Sequence, residues 1–76
     1  MTREEWIARL RLNVEIAEVR LSRAARRVDE AEAKGTATAT ELKHNRNVTL
    51  PRLAALVTRA EKELKDYIAK EGRETE

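Results

Sequence analysis

An all-α antiparallel helical hairpin is the fold this sequence predicts, and three observations predict it. Two long runs of apolar residues recur at three- and four-residue spacing. A glycine followed by alternating threonines separates them. The 76 residues include two glycines, one proline, no cysteine and no phenylalanine. One small domain covers residues 1–76, and its core has to be assembled from Leu, Val, Ile and Ala. A core that small supplies no more than about 3–5 kcal/mol by itself.

The first helix is expected over residues 3–34. Ile7, Leu10, Val14, Ala17, Leu21, Ala24, Val28 and Ala31 form one unbroken stripe of period 3.6. Thr2 with Glu5 has the capping-box spacing, and Glu4 and Glu5 suit the positive end of the helix dipole. Gly35, preceded by Lys34, is the natural left-handed stop. A helix of that length runs roughly 45–50 Å at 1.5 Å per residue. The same helix carries Leu12, Ile16 and Val19, spaced four then three and lying nearly opposite the main stripe at 100° per residue. A helix with two apolar faces needs two neighbours.

The turn is placed at residues 35–38. Thr38 with Glu41 offers a second capping box, which starts helix 2 at Ala39. The second helix is expected over about 39–72. Pro51 removes a backbone donor, crowds the carbonyl of Asn47 and pushes Leu50 out of helical angles. A kink or a break is therefore expected within residues 46–50, with Thr49 as the N-cap of a new helix in the second case. From there Leu50, Leu53, Val57, Ala60, Leu64 and Tyr67 form a stripe, with Leu56 and Ile68 beside it and Leu42 in line if the helix is nearly continuous. Gly72 is the expected stop, and residues 73–76 are expected to fray.

A short connection makes the two helices antiparallel neighbours, with facing residue numbers summing to roughly 74. Leu10 then meets Leu64, Val14 meets Ala60, Ala17 meets Val57 and Ala24 meets Leu50. Large faces small in several layers, as close helix packing requires. Trp6 and Tyr67 fall together at the open end, closing the core or anchoring an interface. A lone hairpin leaves its seam and the Leu12, Ile16, Val19 patch open. Two hairpins forming a four-helix bundle, or a larger helical assembly, would cover both. Asn13 flanks the main stripe, where a polar residue can set register in an oligomer seam.

No catalytic constellation is visible. The chain has one histidine, one serine and no cysteine, and His44 and Ser22 lie on different helices. A lone His44 beside Asn45 and Asn47 lacks metal-ligand spacing, so no metal or cofactor is expected. No glycine-rich phosphate loop is present. Asn47-Val48-Thr49 matches the glycosylation acceptor pattern, which without a secretion signal is a chance match. Charge interrupts every apolar run, so no membrane span and no secretory leader are expected. A cysteine-free chain fits a cytoplasmic location.

Net charge is +2, but it is unevenly placed. Residues 20–52 hold eight basic and four acidic residues, +4 in all, and the remainder holds eight and ten, or −2. Arg20, Arg23 and Arg27 share a helical face with Arg26 adjacent. An antiparallel turn brings Lys43, His44, Arg46 and Arg52 towards them. These residues are the candidate anion site, for nucleic acid, a nucleotide or an acidic protein. No aromatic residue lies among them, so phosphate contacts are indicated rather than base stacking. The plainer reading is a solvated face balanced by Glu15, Glu30 and a partner chain. The expectation is a non-enzymatic, homo-oligomeric interaction or regulatory protein, a dimer first, with a basic surface at the turn end. The alternative is a small inhibitor or adaptor of phage or antitoxin type, with Leu12, Ile16 and Val19 set against a protein target.

Overall fold

A computed structural model describes the backbone of residues 2–74 and the side chains of residues 2–70. The chain is all-helical there. Helix α1 spans Arg3–Lys34, α2 spans Ala39–His44, a π-helical turn occupies Asn45–Thr49, and α3 spans Leu50–Glu74.

Each boundary has a local cause. The Glu5 N–H donates to Thr2 Oγ1 at 3.2 Å, and the Trp6 N–H donates to the Thr2 carbonyl at 3.0 Å. The first bond satisfies one of the four donors that a helix start leaves without partners, and the second is the first ordinary bond of the helix ladder. At the other end Gly35 sits at φ 69°, ψ 23°. Its N–H donates to the Glu32 carbonyl at 3.2 Å, and the Thr36 N–H donates to the Ala31 carbonyl at 3.0 Å. This pair of reversed bonds is the Schellman motif, which needs a left-handed residue and so favours glycine. Thr38 repeats the N-cap, accepting from the Glu41 N–H at 3.1 Å.

The Pro51 region resolves differently from the expectation of extended geometry at Leu50. That residue keeps helical angles, φ −64° and ψ −43°, and its N–H donates to the Asn45 carbonyl five residues back. The chain therefore passes from α2 to α3 through a π turn, with no N-cap at Thr49. A π turn absorbs one extra residue and widens the helix. The widening moves the carbonyl four residues back away from the proline ring, while the missing N–H of Pro51 falls where the bonding pattern is already shifting. At the far end the helix runs through Gly72 to Glu74. Mid-helix glycine costs only about 1 kcal/mol relative to alanine, which is not enough to force a stop. Of the expected frayed tail, Arg73 and Glu74 are helical, and Thr75 and Glu76 lie outside the described residues.

Helices α1 and α3 lie side by side as an antiparallel hairpin, a rod of 57 × 18 × 14 Å. The apolar stripe of α1 is the covered one: Leu10 and Val28 are buried, and Ile7, Val14, Ala17, Leu21, Ala24 and Ala31 are half-buried. On the other side Leu42, Leu50, Leu53, Val57, Ala60, Leu64 and Tyr67 are half-buried. The Trp6 and Tyr67 rings meet at the open end, with centroids 6.2 Å apart and planes tilted by 55°. Even the best-covered described side chains, Leu10 and Val28, keep 7% and 8% of their surface exposed. Two helices make a seam, not an enclosed core.

Candidate functional site

Among the described residues, four of the six large apolar side chains that the seam leaves exposed gather on one part of the rod, and the other two, Trp6 and Ile68, lie towards the open end. Leu12, Ile16, Val19 and Leu56 are 52%, 42%, 46% and 48% exposed. Leu12, Ile16 and Val19 follow one another along the outside of α1, and Glu15, Arg20 and Arg23 share the shallow depression they form. Leu56 comes from α3. It joins Ile16 across a groove of about 320 Å³ lined by Asn13, Ile16, Ala17, Arg20, Leu53, Leu56 and Ala60. Ala17 and Ala60 are small, which leaves the space for the groove between the larger side chains. Ile16 belongs to both hollows, so the outer patch of α1 and the open side of the seam form one continuous apolar face. Full burial of a side chain of this size contributes about 1.5–3 kcal/mol, so four half-covered ones leave on the order of 3–6 kcal/mol unrealised. Trp6, at the open end, is 39% exposed.

Leu56 is the member that periodicity alone does not select. It lies one residue off the α3 stripe, and only the antiparallel pairing brings it opposite Ile16. The signal in the sequence was the arithmetic of the turn, since 16 and 56 sum close to the pairing constant of the hairpin.

The candidate basic residues fall into three groups. Arg46, from the π turn, reaches α1 and donates from Nη1 to Glu32 Oε2 at 2.6 Å, with Nη2 3.6 Å from Asp29 Oδ1. Its hydrogen bond and positive charge hold the Glu32 carboxyl below the ordinary value of 4.5, and the same contacts raise Arg46. Both partners are solvent-exposed, so the pair acts mainly as a clasp between the π turn and the end of α1. Arg46 is therefore committed to carboxylates on one side of the rod.

Arg20, Arg23, Arg26 and Arg27 are exposed and make no ion pair among the described residues. Arg20 and Arg23 border the apolar face, and Arg23 and Arg26 line a further small hollow with Ser22. The arginines thus continue the outer stripe of α1 directly beyond Val19. Apolar face and cationic stripe are consecutive lengths of one helix surface. Lys43 and His44 on α2 and Arg52 on α3 are exposed, and among the described residues no hydrogen bond or ion pair is formed by their side chains. The i,i+4 pair formed on α3 is Arg59 with Glu63, Nε to Oε1 3.6 Å.

Among the described residues no group of three His, Asp or Glu is placed to hold a metal ion. No described helix is long and apolar enough to cross a membrane. Compared with family models, curated proteins and solved structures, the chain has no significant match. The surfaces themselves carry the functional reading.

Proposed function

We propose that the chain is a non-enzymatic helical interaction protein that works as an assembly of copies and binds the phosphate backbone of a nucleic acid through Arg20, Arg23, Arg26 and Arg27. The observation that carries this reading is the contrast among arginines. Arg46 and Arg59 lie against carboxylates. Arg9, Arg11 and Arg52 are exposed without an ion pair among the described residues, as are Arg20, Arg23, Arg26 and Arg27, but only these last four gather within about two turns of one helix. Guanidinium groups match phosphate geometry with paired donors and are weakly hydrated, which suits them to this role. The interleaved residues are Leu21, Ser22, Ala24 and Ala25, so there is no ring on which a base could stack. Binding is electrostatic and indifferent to sequence.

The test is fluorescence anisotropy with labelled duplex and single-stranded DNA of random sequence across a salt series. Four phosphate contacts per copy give a log–log salt slope of about −3.6 on duplex. Replacing the four arginines by glutamine, which keeps helix propensity, abolishes the binding. Salt-independent binding, no binding at low salt, or undiminished binding by the glutamine variant overturns the reading.

A second reading is favoured by the exposure of Leu12, Ile16, Val19 and Leu56. In it the chain is a small inhibitor or adaptor whose apolar face meets a different protein. A purified chain that stays monomeric at high concentration selects this reading over self-assembly.

A further inference from the structure

We infer that the apolar face centred on Ile16 and Leu56 is occupied by a second copy of this chain, reversed end for end, so that α1 packs against α1 of the other copy and α3 against its α3. The inference rests on the association part of the proposed function and specifies its geometry, independently of any anion.

The first support is area. The chain exposes 6247 Å², whereas a compact monomer of 8.7 kDa exposes about 4,700 Å². The excess is about 1,500 Å², and a stable interface removes only about 800 Å² from each partner. The radius of gyration says the same: 17.1 Å, against about 11 Å for a globular chain of this length. One further layer of two helices, with an interface of that size, would cover about half of the excess area.

The second support is position. Ile16 lies close to the midpoint of α1, which runs from Arg3 to Lys34. A two-fold axis crossing the rod there lets two hairpins overlap along nearly their whole length. Anywhere else, part of each rod would overhang. Closed two-fold pairing also uses one patch against itself, as a single self-complementary face requires. Asn13 lies one helical turn from that axis and lines the groove. Its amide then faces the partner close to its own copy, where a hydrogen-bonding side chain fixes register.

The third support is charge, and it sets the direction. The turn half of the rod, residues 20–52, carries +4, whereas the described open half, residues 2–19 and 53–70, holds seven basic and seven acidic residues and is neutral. Reversed stacking lays each turn half on an open half. Stacking in the same direction would place +4 on +4 and would set α1 over α3 of the partner.

The absence of cysteine makes the test direct. Ile16→Cys, Leu56→Cys, the double variant carrying both, and the exposed control Lys62→Cys are each treated with a short bismaleimide in the full chain, with sedimentation velocity for mass and circular dichroism for helix content. The inference predicts a mass twice that of the single chain. It also predicts efficient homodimer cross-linking through Cys at 16 and, separately, through Cys at 56, and little through Cys at 62. A dimer that cross-links only when 16 and 56 are both cysteine is stacked in the same direction and overturns the inference. A helical monomer at high concentration overturns it as well, and the association reading with it. Ile16→Glu with Leu56→Glu must halve the mass; a full-size assembly that retains its helix would overturn the assignment of the face. DNA binding that fails while the cross-links form removes the proposed ligand and leaves the dimer geometry standing.

Discussion

Replacing Gly35 by alanine isolates one conformational term. Its φ of +69° is left-handed, and a Cβ built there meets nothing within 4 Å. No packing clash contributes, and the neighbouring hydrogen bonds from Gly35 and Thr36 to Glu32 and Ala31 do not involve the side chain. An L-residue in this region is disfavoured by about 1–2 kcal/mol. Alanine also stiffens the unfolded chain, which offsets about 0.4–1 kcal/mol of that. The net loss is about 0.5–1 kcal/mol, which lowers the melting temperature of a domain this size by about 3–6 °C. Gly35→Asn, which tolerates left-handed angles, falls between the two. Thermal melts at one fixed protein concentration, followed at 222 nm, measure the shift. A Gly35→Ala protein that melts at or above the wild-type temperature would refute the left-handed cap as the reason for glycine at the turn.

Other consequences follow from the packing and the clasp. Leu10→Ala removes the best-covered side chain, at 7% exposure, and costs about 2–3 kcal/mol in urea unfolding, the low end for leucine because a two-helix seam can partly collapse. No change at Leu10 would contradict the seam itself. Glu32→Gln keeps the shape but removes the charge that Arg46 grips. The folded pKa of Glu32 lies below its ordinary 4.5, so its contribution is full above that value and fades as pH falls through the lowered folded pKa. The urea midpoint of Glu32→Gln should therefore lie slightly below wild type at pH 7 and converge with it in strong acid. A gap between the two proteins that widens in acid would contradict this pairing.

Much of the fold is legible in the chain because its decisive signals are local. Thr2, Thr38 and Gly35 act within five residues of themselves, and the α1 stripe repeats often enough to leave no choice of face. The less legible features depend on what lies alongside. Pro51 announces a disturbance, but whether a helix breaks or takes in an extra residue depends on α1 holding Leu50 and Leu53 in line. Gly72 resembles Gly35 by residue type. It lacks the threonine-rich segment that turns the chain back, so it stays helical. Arg46 reads as one more member of a basic cluster until the hairpin brings Asp29 and Glu32 beside it, fourteen or more residues away. That pairing withdraws Arg46 from the candidate cluster. Leu56 becomes part of a face only once it meets Ile16.

The central claim is that one hairpin is an incomplete structure. The concentration dependence of the melting temperature addresses it most directly, because assembly enters folding by mass action. For a two-chain unit with the usual unfolding enthalpy per residue, a hundredfold rise in concentration should raise the midpoint by roughly 9 °C. A midpoint that stays put across that range would mean that the hairpin folds alone with Ile16 and Leu56 in water, and would contradict the account.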